Sequence, residues 1–392
     1  MNPGILTAPP ADVEPARPCG QSYGSRNIEV FRSFEEAEVT WRDFQQVAAS
    51  YVFQHYDWQL QWFRHIGGPS RWEPVITVVR DETAAPMLLL PLGIRRVAGV
   101  RILSWLGGTV ADYQAPLIRG TFPGAARFAG LWSEILDRLR PVDIVEFAQQ
   151  PPVVGGFPNP FLELGGVRSD ASLAVELKGD WESFRRLRLT KKFRLDSDRR
   201  RRQLDQLGEV RFMVAATPQE FDELLDATIL QKRRKMARMS AHDFLASPGY
   251  REFYRALTRE WGPLGKVHLS ALYCGSEIIA TQWAVSSAER FYCLLRTFAG
   301  AEWSRFSPGR LLTEFLMQWA FSKGIPIFDL TIGTEAYKYD WCDQETPLYS
   351  YQRILTPKGR LFAWLQELKG RIRNQEKLMR MYRTLRHRLK LY

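Results

Sequence analysis

The chain has 392 residues, 45% of them hydrophobic and 25% charged, more than one hydrophobic core usually holds, so two domains are the expectation. No apolar run approaches the roughly 18 residues that a membrane-spanning helix needs. The four cysteines and five histidines are scattered without a CxxC or metal-ligand spacing, which argues against a disulfide framework, a zinc site or any metal-dependent mechanism.

The net charge of +11 is concentrated in three places. Ten Lys/Arg face two Asp between Arg185 and Arg202, five cations and no acid lie between Lys232 and Arg238, and eleven cations face two Glu from Lys358 to the end. The remainder is net acidic, so particular surfaces, and not the whole molecule, are suited to anionic partners.

Residues 1–26 carry Pro3, Pro9, Pro10, Pro15 and Pro18 without a basic segment leading into an apolar core. They read as a disordered leader and not a signal peptide, which points to a cytoplasmic protein. The G-x-S-x-G match at Gly20–Gly24 lies in this leader, where the strand and helix that a nucleophile elbow requires are missing. After it, "YDWQLQWFRHIGG" has a helical pattern, and "PVITVVRDETAAPMLLLPLGIRRV" reads as two strands joined by a polar turn. "RILSWLGG", the segment "DYQAPL", a helix from about Pro123 to Arg140 and a short strand "DIVEFA" follow.

A basic helix, "SFRRLRLTKKFRLDSDRRRRQLDQLG", then leads into a second half. There "YREFYRALTREWG" is an amphipathic helix, and the chain from Lys266 to Phe298 is a three-strand meander turning at Gly275 and near Ser287. "SPGRLLTEFLMQWAFSKG" is a helix opened by Ser307 and Pro308 and closed at Gly324, and "IPIFDL" is the next strand. The C-terminal tail is helical by pattern, with Leu378, Met381, Tyr382, Leu385 and Leu389 on one face opposite a basic one. An internal echo links the halves. "FPGAARFAGLWSEILDRLRPVDIVEF" and "FSPGRLLTEFLMQWAFSKGIPIFDL" both run Pro-Gly, helix, breaker, and a strand carrying one acid, Glu146 or Asp329.

Two local features carry chemistry. The start of the Pro308 helix, with Ser307, Gly309 and Arg310, offers free amides, close backbone approach and a cation to a phosphate, and it is equally an ordinary capped helix. In "FDLTIGTEAYKYDW" (Phe328 to Trp341), Asp329 and Glu335 supply carboxylates and Tyr337 a phenol. Tyr337, Tyr339 and Trp341 share one side if the chain stays extended, and the same stretch also reads as a decorated strand exit.

The order of these elements resembles the GNAT-type acyltransferases, specifically the CelD-like family linked to cellulose and exopolysaccharide biosynthesis, and more distantly the Fem peptidyltransferases. The resemblance covers roughly Tyr51 to Tyr351 and includes "YDWQLQWF", "ADYQAPL", "LTKKFRLDSDRRRR" and "SPGRLL". It implies an α/β fold of tandem GNAT-like domains, with mixed sheets flanked by helices. The expected units are a leader at 1–26, an N-terminal domain at 27–180, a C-terminal domain at 181–357 opening on the basic helix, and a basic helical tail at 358–392.

The resemblance also implies a donor, acyl-CoA, used as co-substrate with no permanently bound cofactor. Arg296 would lie near the acyl group and Ser307, Gly309 and Arg310 near the pyrophosphate. The family pattern R/Q-x-x-G-x-G/A is not kept: with its first glycine on Gly309, Phe306 and Leu311 occupy the R/Q and last small positions. An aminoacyl-tRNA donor, as in Fem enzymes, stays open on that account.

Direct attack on a thioester needs a base, an oxyanion site and a proton for the thiolate. Glu335 is the expected base, Tyr337 the acid or orienting phenol, and Asp329 the second carboxylate candidate. Lys338, Asp112 and Tyr113, and Lys191, Lys192 and Arg194, are the expected substrate-binding residues. The acceptor would be an amine or hydroxyl of a saccharide, lipid or envelope precursor. The tail suits an anionic membrane surface at the inner face, and nucleic acid is a partner only for a Fem-like enzyme. A non-catalytic basic adaptor of membrane or polysaccharide machinery is the third reading.

Overall fold

The computed structural model describes residues 27–120 and 128–369; the proline-rich leader, the Pro123–Gly124 helix start and the tail beyond 369 lie outside the described residues. The first half contains β1 (Ile28–Phe31), α1 (Phe34–Val47), α2 (Tyr56–Trp62), β2 (Glu73–Pro74), β3 (Ile76–Arg80), β4 (Pro86–Leu90), β5 (Leu92–Val97), β6 (Val100–Trp105) and β7 (Leu117–Ile118). Next come α3 (Phe128–Leu139), β8 (Ile144–Gln150), the small hairpin β9 (Val153–Val154) and β10 (Phe157–Pro158), and β11 (Val167–Glu176). The second half contains α4 (Trp181–Arg188), α5 (Lys191–Asp205), β12 (Val210–Val214), α6 (Pro218–Arg238), α7 (Pro248–Trp261), β13 (Val267–Cys274), β14 (Glu277–Ser286) and β15 (Arg290–Phe298). It ends with α8 (Ala301–Ser304), α9 (Pro308–Ser322), β16 (Ile327–Ile332) and β17 (Gln344–Ile354).

The expected meander is β13, β14 and β15, antiparallel throughout, with Gly275 at φ 59 making the first turn. The basic segment forms two helices where one was expected. Arg188 ends α4, and the Thr190 side chain caps α5 by accepting from the Phe193 amide at 3.2 Å. A threonine in the middle of a charged run is a weak signal, because a helix interior tolerates it almost as well.

Eleven strands form one mixed sheet in the order β12-β13-β14-β15-β16-β11-β17-β8-β6-β5-β2. The repeated unit occupies the same topological place in each half. β6 runs through α3 to its parallel neighbour β8, and β15 runs through α9 to its parallel neighbour β16. Each half then gives its last strand to the other: β11 pairs with β16, and β17 pairs with β8. The two acids of the internal echo sit against these exchanged strands, Asp329 opposite Ala174 and Glu146 opposite Gln352.

Packing joins the halves a second time. Trp58 of α2 is fully buried against Phe253 and Trp261 of α7 and Trp283 of β14, with ring centroids 5.2, 6.0 and 6.3 Å away. The aromatic residues of "YDWQLQWF" thus fill a core shared by both halves. Burying one such ring is worth about 3 kcal/mol or more against truncation, so neither half closes its core alone. Among the described residues no helix is long and apolar enough to cross a membrane.

Candidate active site

β15 and β16 are hydrogen-bond neighbours only at their starts, in the pairs Arg290–Ile327, Phe291–Phe328 and Tyr292–Asp329. Beyond Tyr292 they part. The ladder to β14 also slips there, with Cys293 opposite Ala284 and Leu295 opposite Trp283, which leaves Leu294 as an extra, bulged residue. A bulge frees backbone groups from the ladder and re-aims them. Parting strands expose such groups to whatever lies between.

What lies between is a cavity of about 530 Å³. Its walls are Cys293–Phe298 of β15, Leu330–Ile332 of β16, Ser307–Arg310 at the start of α9, Lys232 and Lys235 of α6, and the 335–341 segment. Thr109, Val110 and Asp112 from the first half complete it. The Thr331 hydroxyl donates to the Cys293 carbonyl at 3.2 Å, which marks the apex, whereas a Cβ on Gly309 would stand 3.9 Å from the Phe298 ring. Five residues of β15 separate these points, about 16 Å at strand rise. The cavity is therefore a channel from the apex to the start of α9.

Thr331 has φ 56, a left-handed conformation that a β-branched residue adopts only under strain of about 1–3 kcal/mol. Three contacts hold it. Its amide donates to Asp329 Oδ1 at 2.7 Å, its hydroxyl to Cys293, and Lys338 Nζ donates to the carbonyls of Thr331, Ile332 and Gly333 at 3.2, 2.6 and 3.2 Å.

The expected site residues divide accordingly. Asp112, Arg296, Ser307, Gly309, Arg310, Glu335, Tyr337 and Lys338 all line the cavity. Asp329 and Tyr113 do not. Asp329 is fully buried, and it accepts from the Tyr113 hydroxyl at 2.8 and 3.0 Å and from Arg290 Nη1 at 2.8 Å. This clasp ties Tyr113 of the first half to β16 of the second. Lys191, Lys192 and Arg194 stand at the start of α5 outside the cavity; Lys192 lines a shallow groove that meets it at Arg310.

Lys338 is not available for a substrate anion in the expected way. Its side chain is 3% exposed, and the ammonium is committed to the three carbonyls and to Glu335 Oε2 at 3.1 Å. The 335–341 stretch is also not extended. A 3-10 turn at Ala336–Lys338 leaves Tyr337 and Tyr339 exposed and buries Trp341, so the three aromatics do not share a side. The turn is what allows Lys338 to reach back to the strand it follows.

Burial pushes the Asp112 carboxyl up to about 6, and the charge of Asp329 adds to this, while Thr331, Lys338 and the Ile332 amide pull it down. Glu335 is the opposite case. Burial raises it, but its own amide, Lys338 and Arg296 outweigh that and hold it below the usual range. Partial burial pushes the Tyr337 phenol, protonated at neutral pH in any case, above its ordinary value, and the Arg296 guanidinium lies 4.4 Å from its ring centre. Arg296 Nη1 is fixed by Thr313 Oγ1 at 2.7 Å. Cys293 lines the cavity, yet burial raises its thiol well above the ordinary value, which removes it as a nucleophile.

At the start of α9 the amides of Arg310 and Leu311 are taken by the Ser307 carbonyl at 2.9 and 3.2 Å. Of that turn, only the Gly309 amide lacks a backbone partner among the described residues. Arg310 pairs with Asp196 of α5 and lies over the Phe193 ring at 4.5 Å. Sequence reasoning missed Lys232, Lys235 and Thr331 as cavity residues. The i, i+3 spacing of Lys232, Lys235 and Arg238 was the available signal for the lysines, and nothing in a sequence announces a threonine at positive φ. Among the described residues no group of His, Cys, Asp and Glu is placed to hold a metal ion.

Comparison with known proteins agrees with this geometry. Residues 191–339 match the family model described as an acetyltransferase (GNAT) domain. The chain is similar to the crystal structure of FemX, at 10% identity and a TM-score of 0.57, with 86% of this chain and 99% of that one covered. It is also similar to a conserved protein of unknown function from Bacteroides thetaiotaomicron VPI-5482, at 12% identity and a TM-score of 0.53, covering 84% and 100% of the two chains. The C-terminal DUF2156 domain of a putative lysylphosphatidylglycerol synthetase from Agrobacterium fabrum aligns at 12% identity and a TM-score of 0.49, covering 85% and 96%. No curated protein has a significant sequence match. Residues 191–339 thus match a GNAT domain, set in a mixed α/β frame of two repeated units, and the chain is an acyltransferase.

Proposed function

We propose that the cavity transfers an acyl group from acyl-CoA to an amine or hydroxyl by direct attack. The observation that carries this reading is the parting of β15 from β16 at a bulged Leu294, beside a carboxyl poised near 6. The acyl thioester lies along β15, the freed backbone groups near Leu294 face its oxyanion, and the donor's phosphates meet the Gly309 amide and Arg310. Space above Gly309 is open: a Cβ there meets only the Phe298 ring, at ordinary contact distance.

Asp112 takes the base role in place of Glu335. A base with its pKa near the working pH combines the right protonation state with proton affinity, whereas Glu335 is held below the usual carboxylate range. The acceptor loses its proton to Asp112 as it attacks the thioester carbon. Collapse of the tetrahedral intermediate expels the thiolate, which takes a proton from Tyr337. Glu335 and Lys338 instead hold the end of β16 in its strained form. The resemblance to CelD-like proteins supports a saccharide or envelope-precursor acceptor in a cytoplasmic setting. Thermal-shift titration with acetyl-CoA, longer acyl-CoAs and free CoA is the test, since a ligand of the native state raises its stability. No shift with any of them removes the donor assignment.

A Fem-like donor is the second reading, favoured by the exposed Lys192, which lines the groove that meets the cavity at Arg310. Two of the α5 cations, Arg199 and Arg200, are already spent on Asp196, which also pairs with Arg310 of α9, and Asp198 pairs with Arg185 of α4. Activity abolished by ribonuclease supports this reading; nuclease-insensitive turnover with acyl-CoA excludes it.

The helix at 357–369 packs Phe362 against Val100, Ile102 and Ile144 and leaves Leu361, Trp364, Leu365 and Leu368 exposed in one stripe. The eleven cations from Lys358 onward suit this stripe to an anionic bilayer at the inner face of a membrane. Co-sedimentation with phosphatidylglycerol vesicles, lost in Leu361→Glu/Trp364→Glu and absent with phosphatidylcholine, is the expected result. Equal binding by the variant overturns it.

A further inference from the structure

We infer that the cavity has a second anion site, formed by Lys232 and Lys235 of α6, and that it holds a phosphoryl group of the acceptor. Three observations lead there. Both lysines line the cavity, with Lys235 Nζ 5.8 Å from the centre of the Phe298 ring and Arg238 the same distance from it, so the i, i+3, i+6 row of α6 faces β15. Neither ammonium has a carboxylate within ion-pair distance among the described residues, whereas Arg296, Arg310 and Lys338 around them all have polar partners. Burial first, then Lys235 and Arg296, lower Lys232 to about 8, with Asp112 and Glu335 opposing from beyond contact distance. Burial and Arg296 lower Lys235 as well.

A helix C-terminus favours cations in its last turn, which accounts for Lys235 and Arg238. It does not account for Lys232, which lies one turn further in and is half-buried. A buried, unpaired ammonium is costly, and a bound anion relieves the cost. The class of anion follows from the donors. Lysines act as point charges and suit phosphate, while planar carboxylates favour the arginine fork, and Arg296 already spends its fork on Thr313 and Tyr337. Along the channel the pair runs from Lys232, which interacts with Asp112 and Glu335 toward the apex where the acceptor must present its nucleophile, to Lys235 beside the Phe298 ring that Gly309 also faces, so competition with CoA decides whether the site is separate from the donor's.

Assigning the anion to the acceptor rests on the acyl-transfer reading; the existence of the site does not. Inorganic pyrophosphate, titrated calorimetrically into the full chain with and without saturating CoA, separates the two. The expected result is that pyrophosphate still binds the CoA-saturated protein. Lys232→Gln/Lys235→Gln then weakens that binding at least tenfold, while its CoA dissociation constant changes less than threefold. The substitutions remove uncompensated charge, so folding is not at risk, and a circular dichroism melt checks this.

Pyrophosphate binding that vanishes on CoA saturation, or that is unchanged in the double variant, overturns the second site. If CoA itself fails to bind, the donor assignment falls, and the titration of free protein against the double variant still decides the lysine site. With acetyl-CoA as donor, turnover of glucosamine 6-phosphate over glucosamine, lost selectively in Lys232→Gln through KM, supports the acceptor assignment. Equal use of the two sugars by the parent protein overturns it.

Discussion

Replacing Asp112 by Asn separates its charge from its shape. A carboxyl that titrates at about 6 in the folded chain and at 3.8 when unfolded binds its proton more tightly in the folded state. Stability therefore falls as pH rises between those values, and the ionised group destabilises the fold above them. With 1.36 kcal/mol per pKa unit the penalty is about 3 kcal/mol at pH 8 and about 1 kcal/mol at pH 4.5. Asn carries no such charge and keeps an oxygen toward Thr331 and the Ile332 amide. Asp112→Asn is thus expected to be more stable than the parent by about 2–3 kcal/mol at pH 8, a gap closing to about 1 kcal/mol at pH 4.5. Urea titrations of both proteins at half-unit pH steps measure this. The same variant should lose acyl transfer by about 10²–10⁴-fold, and the parent's kcat/KM should rise through an acid limb centred near 6. A gap that does not change with pH, or a variant less stable than the parent at pH 8, refutes the buried-charge argument. A stabilised variant with full turnover refutes only the base.

Gly309→Ala puts a methyl group into open cavity space on a helix, so stability should stay level or rise by up to about 1 kcal/mol while CoA affinity falls in calorimetry. Lys338→Met leaves three carbonyls at the end of β16 without their cation, and a loss of about 2–3 kcal/mol in urea titration is expected. A Lys338 that only bound substrate would change KM and leave stability alone. Asp329→Asn breaks the buried clasp with Arg290 and Tyr113 and should cost about 3–5 kcal/mol; a fully stable variant lacking only turnover would restore Asp329 to the chemistry.

The local patterns of the second half were legible because each rests on a short-range rule: the Gly275 turn, the Ser-Pro helix start, the apolar run of β16. What the sequence does not carry is the exchange of β11 and β17 between halves. Both strands alternate like any other, and only the partner's edge decides where they pair. Asp112, expected at the cleft from the first half, does line the cavity; what the sequence hides is the burial that makes it a candidate base, since it reaches the cavity from a loop that follows β6 of the other half. Glu335 looked better placed because it is close in sequence to Tyr337, but its own amide and then Lys338 lower its carboxyl.

The repeated unit raises the question of why the chemistry should sit in one half only. β6 and β8 also pair in parallel at Ile102–Ile144 and Leu103–Val145, the same arrangement as β15 and β16. Gln149 near the end of β8 even has φ 53, as Thr331 has φ 56 in β16. The gap beyond is filled, however. Trp105, Phe147 and Phe161 meet there with ring centroids 4.8–5.2 Å apart, and all three are buried with Trp132 of α3 against them. Aromatic rings in that space supply core energy and leave no room for a thioester arm. In the second half the space beyond the paired starts of β15 and β16 is instead the cavity, walled by Leu294, Arg296 and Phe298 of β15 and by Leu330–Ile332 of β16, with Lys232 and Lys235 also lining it. Filling of one gap accounts for a first half that contributes a single carboxylate, Asp112, to a cavity walled mainly by the second.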